Sequence, residues 1–127
     1  MMEDVLYVSV AGINFRASDE DVGPILGYTK ANPVEVDPEA EGVFLESGKL
    51  IGFIPVKRRD EFKEFKKEAQ NDEGACLFSG NIKKIQKRDG SYYIGNIALV
   101  KGDAMKTLLQ AHYNGNFDLY GQKKPSL

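Results

Sequence analysis

The stretch from Asn32 to Pro55, Asn-Pro-Val-Glu-Val-Asp-Pro-Glu-Ala-Glu-Gly-Val-Phe-Leu-Glu-Ser-Gly-Lys-Leu-Ile-Gly-Phe-Ile-Pro, narrows the folds open to this chain more than any other. Asn32-Pro33 and Asp37-Pro38 punctuate a loop, Val43 to Leu45 is a short β-rich run, Ser47-Gly48 turns, and Leu50 to Ile54 returns to a stop at Pro55. The two runs form a hairpin hanging from an acidic, proline-bounded loop.

The flanking segments extend the pattern. From Val5 to Phe15 apolar residues occupy both alternations, which fits a strand with both faces partly covered better than an exposed edge. Ala17 to Gly23 is a loop or short helical turn, and Pro24 to Lys30 is a weaker strand broken by Gly27. Beyond Pro55, Phe62, Phe65 and Ala69 fall at helical spacing among alternating charges, which predicts an amphipathic helix with a narrow apolar stripe. Ala75 to Gln86 predicts a long strand in which Ile85 breaks the phase of Phe78 and Ile82, as a bulge near Lys83-Lys84 would do. Asp89-Gly90 marks a tight turn into a returning strand, Tyr92 to Val100. Asp103 then caps a second helix carrying Met105, Leu108, Leu109 and His112. Six strands and two helices in this order predict a mainly β fold, a small, partly open six-stranded barrel of the SH3 or OB kind, with the first helix plugging one end. The 127 residues are expected to form one domain over 1–115, followed by a tail at 116–127.

With 42% hydrophobic and 28% charged residues, the composition is that of a globular protein and excludes global disorder. Val5 to Ile13 is too short to span a bilayer and lacks the basic start of a signal peptide, and Cys76 is the lone cysteine. The expectation is a soluble, cytoplasmic protein with no membrane partner. A net charge of −2 hides an asymmetry: residues 1–46 carry ten acidic residues against Arg16 and Lys30, a balance of −8, and the remainder carry fifteen basic against nine acidic, or +6. Such a split can create a positive face on an acidic chain, although the same charges could simply solvate surfaces.

Catalytic chemistry is poorly supplied. One cysteine and one histidine cannot build a four-ligand zinc site, and no phosphate-binding Gly-x-x-x-x-Gly-Lys-Ser/Thr occurs. Cys76 sits in a predicted strand, where a thiol is usually an inert core side chain. The carboxylates Glu35, Asp37, Glu39, Glu41 and Glu46 suit a solvated face, or a hard cation if their oxygens converge. No catalytic residue, metal or cofactor is assigned. Binding chemistry is better represented, because single-stranded nucleic acid is held by positive charge and by aromatic faces that stack on bases. Phe15, Phe53, Tyr92 and Tyr93 are the stacking candidates, with Arg16, Lys49, Lys57, Arg58, Lys83 and Lys84 as phosphate contacts.

The ordered series of Asn-Pro loop, apolar strand, Gly turn and Ile51-Gly52-Phe53-Ile54-Pro55 resembles the HIRAN domain, a small β-barrel found alone in bacteria and fused to helicase-like remodellers in eukaryotes. The resemblance covers roughly Val8 to Val100. It implies a six-stranded barrel that captures the end of single-stranded DNA, gripping a free 3′ hydroxyl. By motif, Gly12-Ile13-Asn14-Phe15 matches a Gly-x-Arg-Tyr stretch, so Phe15 keeps a stacking ring without the hydroxyl and Asn14 replaces an arginine. Asn32-Pro33 matches directly, but Val34 stands where a base-stacking tyrosine is expected. Glu35, or Asp37 after a two-residue insertion, takes the place of an aspartate. Phe53 replaces a histidine, and Lys57 lies just beyond a family lysine. One lost stacking contact is worth about 1 to 3 kcal/mol, an order of magnitude or more in affinity. The expected function is therefore a non-enzymatic nucleic-acid-binding module for single-stranded DNA or strand ends, and the alternative is a protein-interaction or homodimeric module on the same scaffold.

Overall fold

In the computed structural model, which describes residues 5–101, the apolar runs become six strands: β1 (Val5–Ser9), β2 (Gly23–Ala31), β3 (Glu41–Leu45), β4 (Leu50–Phe53), β5 (Cys76–Lys87) and β6 (Gly90–Val100). One helix, α1 (Arg59–Ala69), and 3-10 turns at Ile13–Phe15, Asp19–Asp21 and Val56–Arg58 complete the described elements. The strands are antiparallel in the order β1-β6-β5-β2-β3-β4. The sheet curls into a half-barrel, and its edges meet at one residue pair. Ala11, just past β1, exchanges both backbone hydrogen bonds with Phe53 at the end of β4, at 2.8 and 2.9 Å. The mainly β, barrel-like architecture expected from the sequence is the one found. The second predicted helix, with His112, and the tail at 116–127 lie outside the described residues.

Alternation along the strands sends Val8, Ile25, Val43, Phe78, Ile82, Ile97 and Leu99 into one buried core. Helix α1 adds Phe62 and Phe65 to it, so its apolar stripe plugs the barrel at the end where β5 begins and β6 finishes. Asp60 and Glu61 in its first turn and Lys66 and Lys67 in its last suit the helix dipole. Arg59, Lys63 and Lys66, spaced along one helix face, pair with Asp37, Glu39 and Glu41, spaced every second residue along the loop into β3. The two repeats are comparable because two extended residues span about 6.7 Å, while the helix steps of four and three residues span about 6 and about 4.5 Å, a difference that long Lys side chains absorb. Arg59 holds Asp37 in a two-point contact at 2.7 and 3.1 Å.

Three local expectations are corrected. The first strand stops at Ser9, and the chain beyond Ala11 turns at Gly12 (φ 74°) into a 3-10 turn rather than staying extended to Phe15. Gly27 does not break β2, which runs unbroken from Gly23 to Ala31. There the missing side chain is a packing requirement, since a Cβ would lie 1.9 Å from the carbonyl oxygen of Phe44. The register of β5 against β6 is continuous through Lys83 and Lys84, and Ile85 simply lies on the face opposite Ile82. The register shift of this sheet lies instead between β3 and β4, at Val43/Phe44.

Candidate nucleic-acid interface

The 3-10 turn Ile13–Phe15 grows directly out of the seam that joins the sheet edges, and Ile13 anchors it by inserting into the core. Gly95 leaves room for that anchor, because a Cβ there would meet Ile13 Cδ1 at 2.3 Å. With Ile13 fixed inward, Phe15 is held outward and is 86% exposed. Arg16 folds back so that its guanidinium carbon lies 5.2 Å from the centre of the half-buried Phe53 ring. Among the described residues no carboxylate pairs with Arg16. The seam therefore carries an exposed aromatic face beside an unneutralised guanidinium stacked on a second ring.

Asn14 has a structural partner. Its side-chain oxygen accepts a hydrogen bond from the Tyr93 backbone N–H at 2.9 Å, fastening the turn to the edge of β6. The following turn, Asp19–Asp21, adds two further ties. The Tyr93 hydroxyl donates to Asp19, and Lys84 meets the same carboxylate at 2.9 Å. These contacts, that of Tyr93 first, hold the Asp19 carboxyl below the usual range, while Asp19 holds Tyr93 and Lys84 above theirs. Burial opposes the charge on Asp21, but Lys49 at 2.6 Å and the Ser18 N–H outweigh it, and its pKa is also lowered.

The predicted contacts divide accordingly. Phe15, Arg16 and Phe53 come together at the seam. Lys57 is exposed on the 3-10 turn after β4, whereas Arg58 is committed to Glu61 and to the Tyr7 carbonyl. Asn32, Val34 and Glu35 belong to a separate loop, tightened by the Val34–Asp37 bridge and clamped by Arg59. No described hydrogen bond, ion pair or ring contact joins that loop to Phe15 or Phe53. Lys83 and Lys84 point to opposite faces of β5, as adjacent strand residues must, and Tyr92 shares the face of Lys83. Lys49 is engaged with Asp21.

Ion pairing changes the meaning of the basic clusters. Among the described residues eight cations have carboxylate partners, and Arg16, Lys30, Lys57, Lys83, Lys87 and Arg88 have none. Asp19 and Lys87 were not singled out from the sequence as site residues. The length of the predicted Ala75–Gln86 strand beside its shorter neighbours was the available signal for the latter.

Cys76 is fully buried, and burial pushes its thiol up to about 11, so it is protonated at neutral pH. No group of three or more His, Cys, Asp or Glu among the described residues could hold a metal ion, and no described helix is long and apolar enough to cross a membrane. No family model, curated protein or solved structure matches the chain.

Proposed function

We propose that this domain is a non-enzymatic, cytoplasmic nucleic-acid-binding module of HIRAN type that holds single-stranded DNA or a strand end at the barrel seam. The observation that carries the proposal is Phe15, an aromatic ring held in solvent by a turn whose neighbouring residue is locked into the core. A base stacked on such a ring needs little reorganisation, and Arg16 beside it supplies a charge for the adjoining phosphate. No described hydrogen bond or ion pair ties the Asn32–Glu35 loop to this surface, and Val34 brings no aromatic ring to it, so the proposed grip differs from the one implied by the family motif.

Fluorescence anisotropy with labelled oligonucleotides at two salt concentrations tests the proposal. Binding should be strongest at low salt, where counterion release favours phosphate contacts. Absence of binding there would refute it. A second use of the scaffold, self-association, is favoured by one specific feature: Tyr28 and Phe44 stack with centroids 5.3 Å apart, beside a groove lined by Leu26, Glu46 and Leu77. If that face joins two copies, sedimentation should show a concentration-dependent dimer that Tyr28→Ser abolishes.

A further inference from the structure

β5 and β6 outrun their neighbours. The last partner of β5 in β2 is Ile82 against Gly23, and the last partner of β6 in β1 is Asn96 against Ser9. Beyond them the two strands continue with each other alone through five residue pairs, Lys83–Ile94 to Lys87–Gly90. This two-stranded arm reaches about 15 Å past the sheet. It is braced on one face, where Tyr93 and Lys84 are tied to Asp19 and the Tyr93 backbone to Asn14.

Its other face carries a different set of side chains. Direct pairing puts Ile85 beside Tyr92 and Lys83 beside Ile94, with Lys87 next along the strand. Ile85, Tyr92 and Ile94 are half-buried, whereas Lys83, Lys87 and the turn residue Arg88 are exposed. None of these three cations has a carboxylate partner among the described residues, and Asp89 in the turn is the arm's sole acid. The Lys87 ammonium rests 5.1 Å from the centre of the Tyr92 ring, an exposed cation–π contact readily exchanged for a phosphate.

We infer that this face of the arm is a second contact surface for single-stranded nucleic acid, extending the seam site. Tyr92 is its stacking residue, and Lys83, Lys87 and Arg88 are its phosphate contacts. The charge complementarity is to a polyanion, and the aromatic strip between the cations favours one with stackable bases over an acidic peptide. The inference rests on the nucleic-acid reading of the seam and assigns separate residues to the longer strand.

The test is anisotropy with oligothymidylates of about 4 and about 16 nucleotides, the span of site sizes seen for one small barrel. The proteins are the full chain, Phe15→Ala, Tyr92→Leu, and the triple variant Lys83→Gln/Lys87→Gln/Arg88→Gln. The triple variant should bind the long strand more weakly and flatten the slope of log K against log salt by about 2, since each lost single-strand phosphate contact removes about 0.7. It should leave the short strand's affinity unchanged. Tyr92→Leu, which keeps apolar cover for Ile85, should weaken the long strand about tenfold. If Phe15→Ala loses binding while both arm variants match the parent, the arm inference fails and the seam proposal stands. If the parent binds neither strand, both fail. Equal displacement of DNA by polyglutamate of matched charge would also overturn the inference, because it would make the arm a site for acidic chains. Unchanged circular dichroism and melting of the variants separate these outcomes from misfolding.

Discussion

Phe15 and Gly52 show how two residues at one seam can carry opposite burdens. Phe15 lies in solvent, so Phe15→Ala should leave the unfolding free energy from urea titration within about 0.5 kcal/mol of the parent while weakening oligonucleotide binding about tenfold or more. An unchanged affinity would remove the ring from the site. Gly52 is the reverse case: a Cβ there would lie 2.4 Å from Val10 Cγ1 and 2.5 Å from the Ala11 carbonyl oxygen. Gly52→Ala should therefore prise the seam apart at a cost of about 3 kcal/mol, read from the same unfolding curves. Of these features, Phe15's position at the end of the first apolar run was legible in sequence. Its companionship with Arg16 and Phe53 was not, because local pattern does not show which distant strand edge Ala11 will meet.

At the scale of elements, the charge ladder between α1 and the loop into β3 explains why so much basic charge is unavailable to a ligand. Its rungs are unequal. Lys66 and Glu41 are largely buried, with side chains 20% and 9% exposed, so Lys66→Met would strand a carboxylate and should cost about 3 kcal/mol. The Lys63–Glu39 rung is open to water, with side chains 49% and 63% exposed, and Lys63→Ala should change stability by less than about 1 kcal/mol. Thermal melts of the two variants check the contrast, and equal losses would contradict it.

The same ladder sets a pH dependence. Hydrogen bonding from Arg59 lowers the pKa of Asp37, and hydrogen bonding from Lys63 lowers that of Glu39, relative to 3.8 and 4.5. Carboxyls with depressed folded-state values stabilise the fold above their ordinary pKa and lose that contribution as pH falls through the folded one. The melting temperature should thus hold from neutrality to about pH 5 and decline below about 4.5, and less steeply in an Asp37→Asn/Glu39→Gln variant. Identical acid profiles would argue against the ladder. The helix itself was legible from the spacing of Phe62, Phe65 and Ala69. The ladder was hidden because the acidic residues have strand spacing and the basic ones helix spacing, and only the fold brings the two together.

For the whole molecule, net charge is a poor guide to binding. The −2 total and even the +6 of the C-terminal part include charges already spent on internal pairs, and six described cations remain without carboxylate partners. The barrel class and strand count were legible because turn residues and alternation are local signals. The closing of the sheet and the arm beyond it depend on pairings between distant strands, which those signals do not encode.

One of those pairings places Val5 opposite Val100, so the earliest described strand takes the last one as its partner. On a ribosome β1 must wait, unpaired, until β6 has emerged, while the β3–β4 and β5–β6 hairpins can form as soon as each is made. Contacts of such long sequence separation slow folding. Pulse-labelled hydrogen exchange during refolding should find β5–β6 amides protected before those of β1. The waiting segment, apolar on both alternations, would be the part of a nascent chain most in need of a chaperone.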